Sequence, residues 1–274
     1  FNYKYLNINF MFFIISLFVF KVNVLLYIIL HKLKILLNNI KLYDKICFIL
    51  GGKLMKNSKN NNFANGYGFY KLFWIFLIGC IAGVIVETFW CLLTTHHIES
   101  RTALVIGPFN PIYGFGAVLM TLIYIILKNK NNFVIFITCS ILGGLFETLC
   151  SYIQELLFGT VSWYYESDSL GILGQRTSIV YCLFWGILGI VWIRYIYPKL
   201  EKCIEKIPKY TGIILTWLLT VFLIFDMALS SAAVYRQRER RKNIPANNEI
   251  RVYLDNRYND DMLKKIYPNM TIKD

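Results

Sequence analysis

Two glutamates lie inside long apolar stretches of the sequence, where an ionisable side chain is costly and usually faces the protein interior. Glu87 follows Gly79 and Gly83 at helical spacing, and Glu147 follows Gly143 at the same spacing of four residues. Residues four apart share one helix face, and small residues on that face allow a second helix to approach closely. We therefore predict that each carboxylate points into a helix contact and away from lipid.

The surroundings of the two glutamates resemble each other. Gly83–Thr88 and Gly143–Thr148 both read Gly-x-x-x-Glu-Thr, and each is followed by a polar linker with a single arginine, Arg101 or Arg176. This pattern favours a duplicated two-helix unit. It predicts ion pairs between Glu87 and Arg101 and between Glu147 and Arg176, or the two crossed pairs. Such pairs either lock the helices together or line a polar path for a substrate or for protons.

Three further segments carry polar or aromatic side chains. The linker Gly107–Gly114, which contains Asn110 and Tyr113, is dense in turn-forming residues and is either a binding loop or a rigid helix entry. Asp226 is a third acid in an apolar stretch, and we interpret it as a structural hydrogen-bond partner. Trp163–Tyr165 is typical of an aromatic anchor at the membrane interface, with a ligand shelf as the alternative.

The usual enzyme signatures are absent from the sequence. Gly51–Lys53 is followed by Leu54, so the chain has no phosphate-binding loop of the GxxxxGK[ST] type, and it has no HExxH or GxSxG motif. Its seven cysteines match neither a zinc site nor a redox pair, and His96–His97 is interpreted as an exposed loop pair. We predict that the protein is not an enzyme, and we assign no catalytic, cofactor-binding or metal-binding residue.

Composition places the chain in a membrane. Hydrophobic residues make up 57% of the 274 residues and charged residues only 16%, with a mean hydropathy of +0.50. Several apolar stretches of ~18–25 residues follow one another, which is the length that crosses a bilayer. The net charge of +13 lies in short linkers and at helix ends, as expected for membrane topology and not for nucleic-acid binding. The predicted fold is an all-α, polytopic helical membrane bundle with about five transmembrane helices.

The hydropathy pattern also gives the order of the elements. The predicted spans are Phe69–Leu93, Pro111–Leu127, Phe133–Ser151 with an extension to Phe158, Ile179–Tyr197 and Ile213–Tyr235. We expect Pro198 to end the fourth span and Lys199–Pro208 to form a short amphipathic helix on the membrane surface. In the polar tail, Asn259 is expected to cap a short helix that ends before Pro268.

The chain divides by composition into four parts. Residues 1–54 are rich in amino acids encoded by AT-rich codons, and Gly51–Lys53 can spell a ribosome-binding site before Met55. We expect residues 1–54 to be read-through of upstream DNA, with a further helix at Phe10–Leu30 as the alternative. Residues 55–68 form a short polar leader, 69–235 the transmembrane domain and 236–274 a soluble tail.

The number of predicted spans conflicts with the distribution of basic residues. Lysines before the first span, between the second and third, and after the fourth place those segments inside. Five crossings then place the basic cluster Arg236–Lys242 outside, against the same rule. We favour a re-entrant element at Val105–Gly116 as the explanation, because Gly107, Pro108 and Pro111 interrupt a helix there.

With these residues identified, the sequence resembles a family of bacterial membrane proteins labelled ABC-transporter permeases, the CmpB-type family. The resemblance extends from about Tyr70 to Met270. It depends on the segments Gly107–Gly116, Trp163–Tyr165, Gly174–Arg176, Trp185–Gly186, Glu239–Pro245 and Lys265–Met270, together with Glu87 and Glu147. Tyr164 and Gln175 depart from the pattern expected for the family.

The resemblance implies a multi-pass protein of the bacterial cytoplasmic (inner) membrane. It also implies a transporter's membrane subunit that works with a separate ATPase subunit and with the lipid bilayer around it, but it names no substrate. Five helices are few for enclosing a pathway, which favours a homo-oligomer or a hetero-complex. The main alternative is a non-transporting membrane scaffold or regulatory protein, and an intramembrane enzyme that uses Glu87 or Glu147 as a base is the weakest interpretation.

Overall fold

The computed structural model describes residues 63–64, 66–165 and 170–273. The predictions for residues 1–54, and for most of the polar leader 55–68, lie outside the described residues. Five helices match the predicted spans: α1 (Phe69–Thr95), α2 (Pro111–Leu127), α3 (Asn132–Phe158), α4 (Ile179–Val191) and α6 (Lys209–Arg241). Four helical segments are long and apolar enough to cross a membrane, the third of them running from Ile179 to Glu205, and α2 is a shorter apolar helix. The described chain is thus an all-α membrane bundle, as predicted.

The remaining elements are short. A π-helical turn (Trp192–Ile196) and helix α5 (Tyr197–Glu205) follow α4, and the tail holds helices α7 (Glu249–Arg257) and α8 (Asp260–Ile266). Strand β1 (Thr160–Val161) pairs antiparallel with β4 (Thr271–Ile272), and β2 (Gly171–Ile172) pairs antiparallel with β3 (Thr177–Ser178). Asn259 caps α8 by accepting from the amide of Met262, as predicted.

Helices α1 and α2 form one tightly packed hairpin, because glycines remove the side chains that would hold them apart. A Cβ atom on Gly83 would lie 2.2 Å from Cγ of Tyr113, and one on Gly79 would lie 2.7 Å from Cβ of Ala117. Gly114 of α2 meets the backbone oxygen of Phe76 in the same way, at 2.7 Å from the built Cβ position. Neither helix can therefore accept a larger residue at these points without moving its partner.

Helices α3 and α4 form a second hairpin, and glycines at their contact again allow close packing. A Cβ atom on Gly143 would lie 2.2 Å from Cγ of Trp185, and one on Gly186 would lie 2.3 Å from the Ser140 hydroxyl oxygen. In both hairpins, then, a glycine of the first helix receives an aromatic ring of the second, and a glutamate follows that glycine by four residues. The two hairpins also run in the same direction along the bundle, as expected for a parallel internal repeat.

The prediction that Pro198 ends the fourth span is wrong. The helix continues through the π turn into α5, and Pro198 lies in the first turn of α5. Proline lacks an amide hydrogen and its ring clashes with the carbonyl four residues earlier, which normally breaks a helix. Here the amide of Tyr197 donates to the carbonyl of Trp192, five residues back. The wider turn shifts the hydrogen-bond register just before the proline and lets the helix pass it.

The bundle has two ends of different character. At the first, which we call the lysine end, helices α1, α3 and α6 begin, and Lys71 contacts α5. At the second, the linker end, lie the linkers 96–110 and 159–178 together with the tail. The tail folds back onto both linkers, because β4 pairs with β1 and the Tyr267 hydroxyl donates to the carbonyl of Ala103 over 3.2 Å.

The favoured re-entrant element at Val105–Gly116 does not form. Residues 105–110 belong to the linker, and Pro111–Gly116 is the start of α2. Asn110 caps this helix by accepting from the amide of Ile112, and proline suits the first helical turn because its missing amide hydrogen is not needed there. The linker therefore adds no crossing, and the basic cluster lies at the linker end.

That cluster is balanced by acids of the tail. Arg236 is buried and forms ion pairs with Glu239 and Asp255, and Arg240 pairs with Asp255 and Asp260. Two of the arginines that conflict with the topology rule are thus committed to folding the tail.

Candidate functional site

The first candidate glutamate lies near the end of α1 and meets the linker that follows. Glu87 Oε1 lies 3.7 Å from Nη1 of Arg101, so this predicted pair forms. Arg101 also binds Glu99 at 3.1 Å and donates to the sulfur of Cys91 at 3.0 Å. About a third of the Glu87 side chain is exposed (36%), so this carboxylate keeps more access to its surroundings than its arginine partner.

The second candidate glutamate lies at the matching position of α3 and is held differently. Glu147 accepts hydrogen bonds from the Tyr165 hydroxyl over 2.8 Å and from the Thr177 hydroxyl over 2.7 Å. Both donors belong to the linker between α3 and α4. No cation among the described residues lies within ion-pair distance of Glu147, so its neutral hydroxyl donors compensate its charge only in part.

The predicted pairing of Glu147 with Arg176 is not found. Arg176 instead binds Glu155, about two helical turns further along α3, and donates to the Ser151 hydroxyl over 3.1 Å. Thr177 occupies the place next to Glu147 because β2 and β3 form a small hairpin that turns this residue towards α3. The crossed pairs are also not found among the described residues.

The two glutamates converge at the linker end. Tyr165, in the second linker, donates to Glu147, and burial first, and then the charges of Glu147 and Glu87 among others, raise the pKa of its hydroxyl. The Tyr165 proton is therefore held firmly, and the hydroxyl acts as a donor to Glu147. A ring contact between Trp90 of α1 and Phe184 of α4, at 6.2 Å, also joins the two hairpins here.

Asn110 and Tyr113 serve the helix entry in the structure. The Asn110 side chain caps α2, and its amide nitrogen donates to the Arg101 carbonyl over 3.1 Å. The backbone amide of Asn110 donates to the Cys80 carbonyl over 3.2 Å. Tyr113 fills the space left by Gly83. Asn110 thus fixes the backbone of the linker that presents Arg101 to Glu87, which favours the rigid-entry interpretation of this segment.

The aromatic segment Trp163–Tyr165 is bound back onto the protein. Trp163 donates from its ring nitrogen to the Arg176 carbonyl over 3.2 Å, and Lys273 Nζ lies 3.8 Å from the centre of the Tyr164 ring. Together with the bond from Tyr165 to Glu147, these contacts join the second linker to α3 and to the tail.

A buried ion cluster at the lysine end was missed by the sequence analysis, which used Lys71 only as a topology marker. Its ammonium group is fully buried and lies 2.7 Å from Glu201 and 2.6 Å from Glu205. Glu201 also accepts from the Tyr197 hydroxyl over 3.0 Å. The spacing of Glu201 and Glu205, one helical turn apart on a segment expected to lie on the membrane surface, is the signal that could have indicated a partner.

A second missed contact fixes the turn between the hairpins. Arg194, near the end of the fourth span, donates to the carbonyl of Lys128 over 2.7 Å, to the carbonyl of Lys130 and to the Asn132 side chain over 3.0 Å.

In the described residues no group of three or more His, Cys, Asp or Glu side chains is arranged to hold a metal ion.

These features define a multi-pass helical membrane protein built from two hairpins, a fifth helix and a folded tail. The chain belongs to the family described as "Putative ABC-transporter type IV", whose model matches residues 74–231. The matched stretch includes Glu87, Arg101, Glu147 and Arg176 but ends before the tail, so it is shorter than the predicted resemblance. No curated protein and no solved structure matches the chain.

Proposed function

We propose that the chain is the membrane subunit of a transporter whose ATP hydrolysis is carried out by a separate subunit. The observation that carries the proposal is the membership of residues 74–231 in an ABC-transporter family. The geometry adds support, because two parallel hairpins bring Glu87 and Glu147 together near one end of the bundle. In transporters built from repeats, substrate and ion sites lie where the repeats meet.

We further propose that the chain hydrolyses no nucleotide and lies in the bacterial inner membrane, with the lysine end facing the cytoplasm. Phosphate binding requires a glycine-rich backbone cradle with a lysine at a helix start, which the sequence lacks. The lysine end carries cations from several segments, including Lys128, Lys130 and Lys209, as the topology rule requires of cytoplasmic loops.

Helix α5 is the part of the lysine end best placed to meet an ATPase subunit. It is anchored to α1 through Lys71 and to the fourth span through the continuous helix, so a push on α5 would reach both hairpins. One face of α5 is buried at Tyr197 and Ile204, whereas Cys203 is exposed. Cys203 therefore provides a reactive thiol on the surface at which the ATPase subunit is expected to bind.

The test uses this thiol in native membranes. A thiol-to-amine crosslinker applied to the tagged full-length chain is expected to join Cys203 to a protein that carries a phosphate-binding loop. The matched control is Cys203→Ser, which removes the only exposed cysteine among the described residues and should abolish that product.

The purified complex should hydrolyse ATP and the purified chain should not. Robust hydrolysis by the chain alone would contradict the assignment of hydrolysis to another subunit. A chain that forms no complex with an ATPase in native membranes would favour the scaffold or regulatory alternative.

A further inference from the structure

Asp226 lies deep in α6 and is completely buried. Seventeen residues separate it from Lys209, at the start of the helix, which is about 25 Å at 1.5 Å per residue. Ten residues then separate it from Arg236, or about 15 Å. The carboxyl group is therefore inside the apolar part of the helix, and an ionisable residue in this setting is a candidate functional site.

One oxygen of this carboxyl group is well supplied with donors. Oδ1 accepts from the backbone amide of Ile106 over 3.1 Å and from the Ser230 hydroxyl over 3.3 Å. The Ser230 oxygen itself accepts from the amide of Val105 over 2.9 Å. Asp226 and Ser230 thus satisfy two consecutive amides of the linker 96–110, which would otherwise be buried without partners.

The other oxygen has no partner in the part of the chain that the structure describes. Asp226 Oδ2 is buried and makes no hydrogen bond within the described residues, and Asp226 forms no ion pair with any of them. Leu223, one turn earlier on the same helix, and Leu104 of the linker belong to one buried apolar cluster, and the hydroxyl of Ser230, which binds Oδ1, is neutral. An ionised carboxylate that is buried without a counter-charge is costly, and such a group takes up a proton instead.

The titratable groups that act electrostatically on this site are tyrosines of the tail, Tyr267 and Tyr258. Burial raises the pKa of both hydroxyl groups. Both therefore stay protonated and neutral over the physiological range, and neither offers Asp226 a positive charge. Asp226 is the group in this cluster whose charge can change.

We propose that Asp226 is a proton-binding site, and that the bound proton holds the first linker and the tail on α6. The proton comes from water and binds to Oδ2, while Oδ1 remains the carbonyl oxygen that accepts from Ile106 and Ser230. Loss of the proton to water leaves a buried negative charge. The linker and the tail then move away from α6 and admit water, because hydration of the carboxylate relieves the cost of burying it.

The linker that Asp226 binds is attached both to the first hairpin and to the tail. The linker that Asp226 binds carries Arg101, the partner of Glu87. The same linker is bound by Tyr267 through the carbonyl of Ala103, and Leu229 and Val105 pack with the tail residues Leu254 and Leu263. A proton on one carboxyl group thus acts on both the first hairpin and the tail. This inference does not depend on the transporter proposal.

The first test is an infrared difference spectrum of the purified full-length protein at neutral pH. A protonated carboxyl group has a C=O stretching band that a carboxylate lacks. We expect the intensity of this band in Asp226→Asn to decrease by the contribution of one carboxyl group. The matched control Asp261→Asn changes an exposed acid on α8 and should leave the band unchanged. Identical bands in the wild type and Asp226→Asn would overturn the proposal.

Two further measurements keep the proposal testable if Asp226→Asn does not fold. In Ser230→Ala the carbonyl oxygen of the protonated acid loses a donor, so the band should move to higher frequency, and an unchanged band would contradict the proposed arrangement. In hydrogen exchange, the amides of Val105 and Ile106 in the wild type should lose protection with rising pH beyond the intrinsic chemical effect. An exchange profile that follows the intrinsic pH dependence alone would also overturn the proposal.

Discussion

At the scale of single residues, two glycines determine how closely the helices of each hairpin approach. Gly83 and Gly143 each face an aromatic ring whose Cγ atom would lie 2.2 Å from an added Cβ. The Cβ atoms of Tyr113 and Trp185 would also lie 2.3 and 2.4 Å from the added Cβ. Rotation of a side chain does not move its own Cβ, so the helices themselves must separate. The Gly-x-x-x-Glu motif is therefore also the packing surface that positions its glutamate.

We predict that Gly143→Ala destabilises the protein by about 1–3 kcal/mol, the usual cost of inserting a methyl group into a packed interface. Gly116→Ala is the matched control, because its added Cβ would lie 3.1 Å from the far edge of the Trp185 ring, which can shift by a few tenths of an ångström. Thermal unfolding in detergent should show a clearly larger loss for Gly143→Ala. Equal losses would mean that the α3–α4 contact is looser than the structure shows.

The bonds of Glu147 lead to a second prediction. Glu147→Leu leaves the Tyr165 and Thr177 hydroxyls without an acceptor, and a buried donor left unpaired costs about 1–3 kcal/mol. Glu147→Gln keeps one acceptor oxygen in the same place and should cost less. The midpoints of thermal unfolding of both variants provide the comparison, and a Leu variant as stable as the Gln variant would show that these bonds contribute little.

At the scale of elements, one lysine attaches α5 to α1. Lys71 is buried between two glutamates that keep roughly a third of their side-chain surface exposed. Without the lysine, the two like charges, one turn apart, would repel each other and favour solvent. The amphipathic pattern of this segment therefore indicated a helix, whereas its attachment to α1 depends on residues more than 120 positions apart in the chain.

We expect Lys71→Met to release α5 from α1. The free energy of unfolding should decrease by less than the ~3–5 kcal/mol typical of a fully buried ion pair that loses one partner, because both carboxylates can regain contact with water. Lys128→Met is the matched control, since Lys128 is exposed at the same end of the bundle. The midpoints of thermal unfolding of the two variants in detergent provide the comparison. Equal behaviour of the two variants would rule out an anchoring role for Lys71.

At the scale of the whole molecule, the tail joins the two hairpin linkers. It pairs with the second linker through β4 and binds the first through Tyr267. Its own fold depends on Asp255, which receives hydrogen bonds from Arg236 over 2.9 and 2.8 Å and from Arg240 over 2.7 Å. The tail is therefore the element that connects the two halves of the linker end.

The Asp255 contacts make a pH-dependent prediction. Hydrogen bonding from Arg236 first, and then from Arg240, lowers the pKa of Asp255 below its ordinary value. A carboxyl group with a lowered folded-state pKa stabilises the fold above its unfolded-state pKa of about 3.9, and this contribution is lost as the pH falls through the folded-state value. Tail protection in hydrogen exchange should therefore decrease below about pH 3.9.

The variant Asp255→Asn provides the comparison for this prediction. It should show weaker tail protection at neutral pH and a smaller further loss in acid, because the titrating group is gone. A wild-type tail that keeps full protection through this acid range would show that the arginine contacts of Asp255 do not hold it.

The sequence by itself determined the class of protein, the bounds of most spans and the cap at Asn259, and it offered the pair of Glu87 with Arg101 as one of two possible pairings. These depend on local hydropathy, on turn chemistry and on residues only fourteen positions apart. The tertiary structure alone decided the partners of Glu147, the burial of Lys71, the passage of Pro198 and the contacts of Asp226. Each of these depends on which helices meet and in what rotation, and packing between distant segments selects that arrangement among many that the same hydropathy pattern allows.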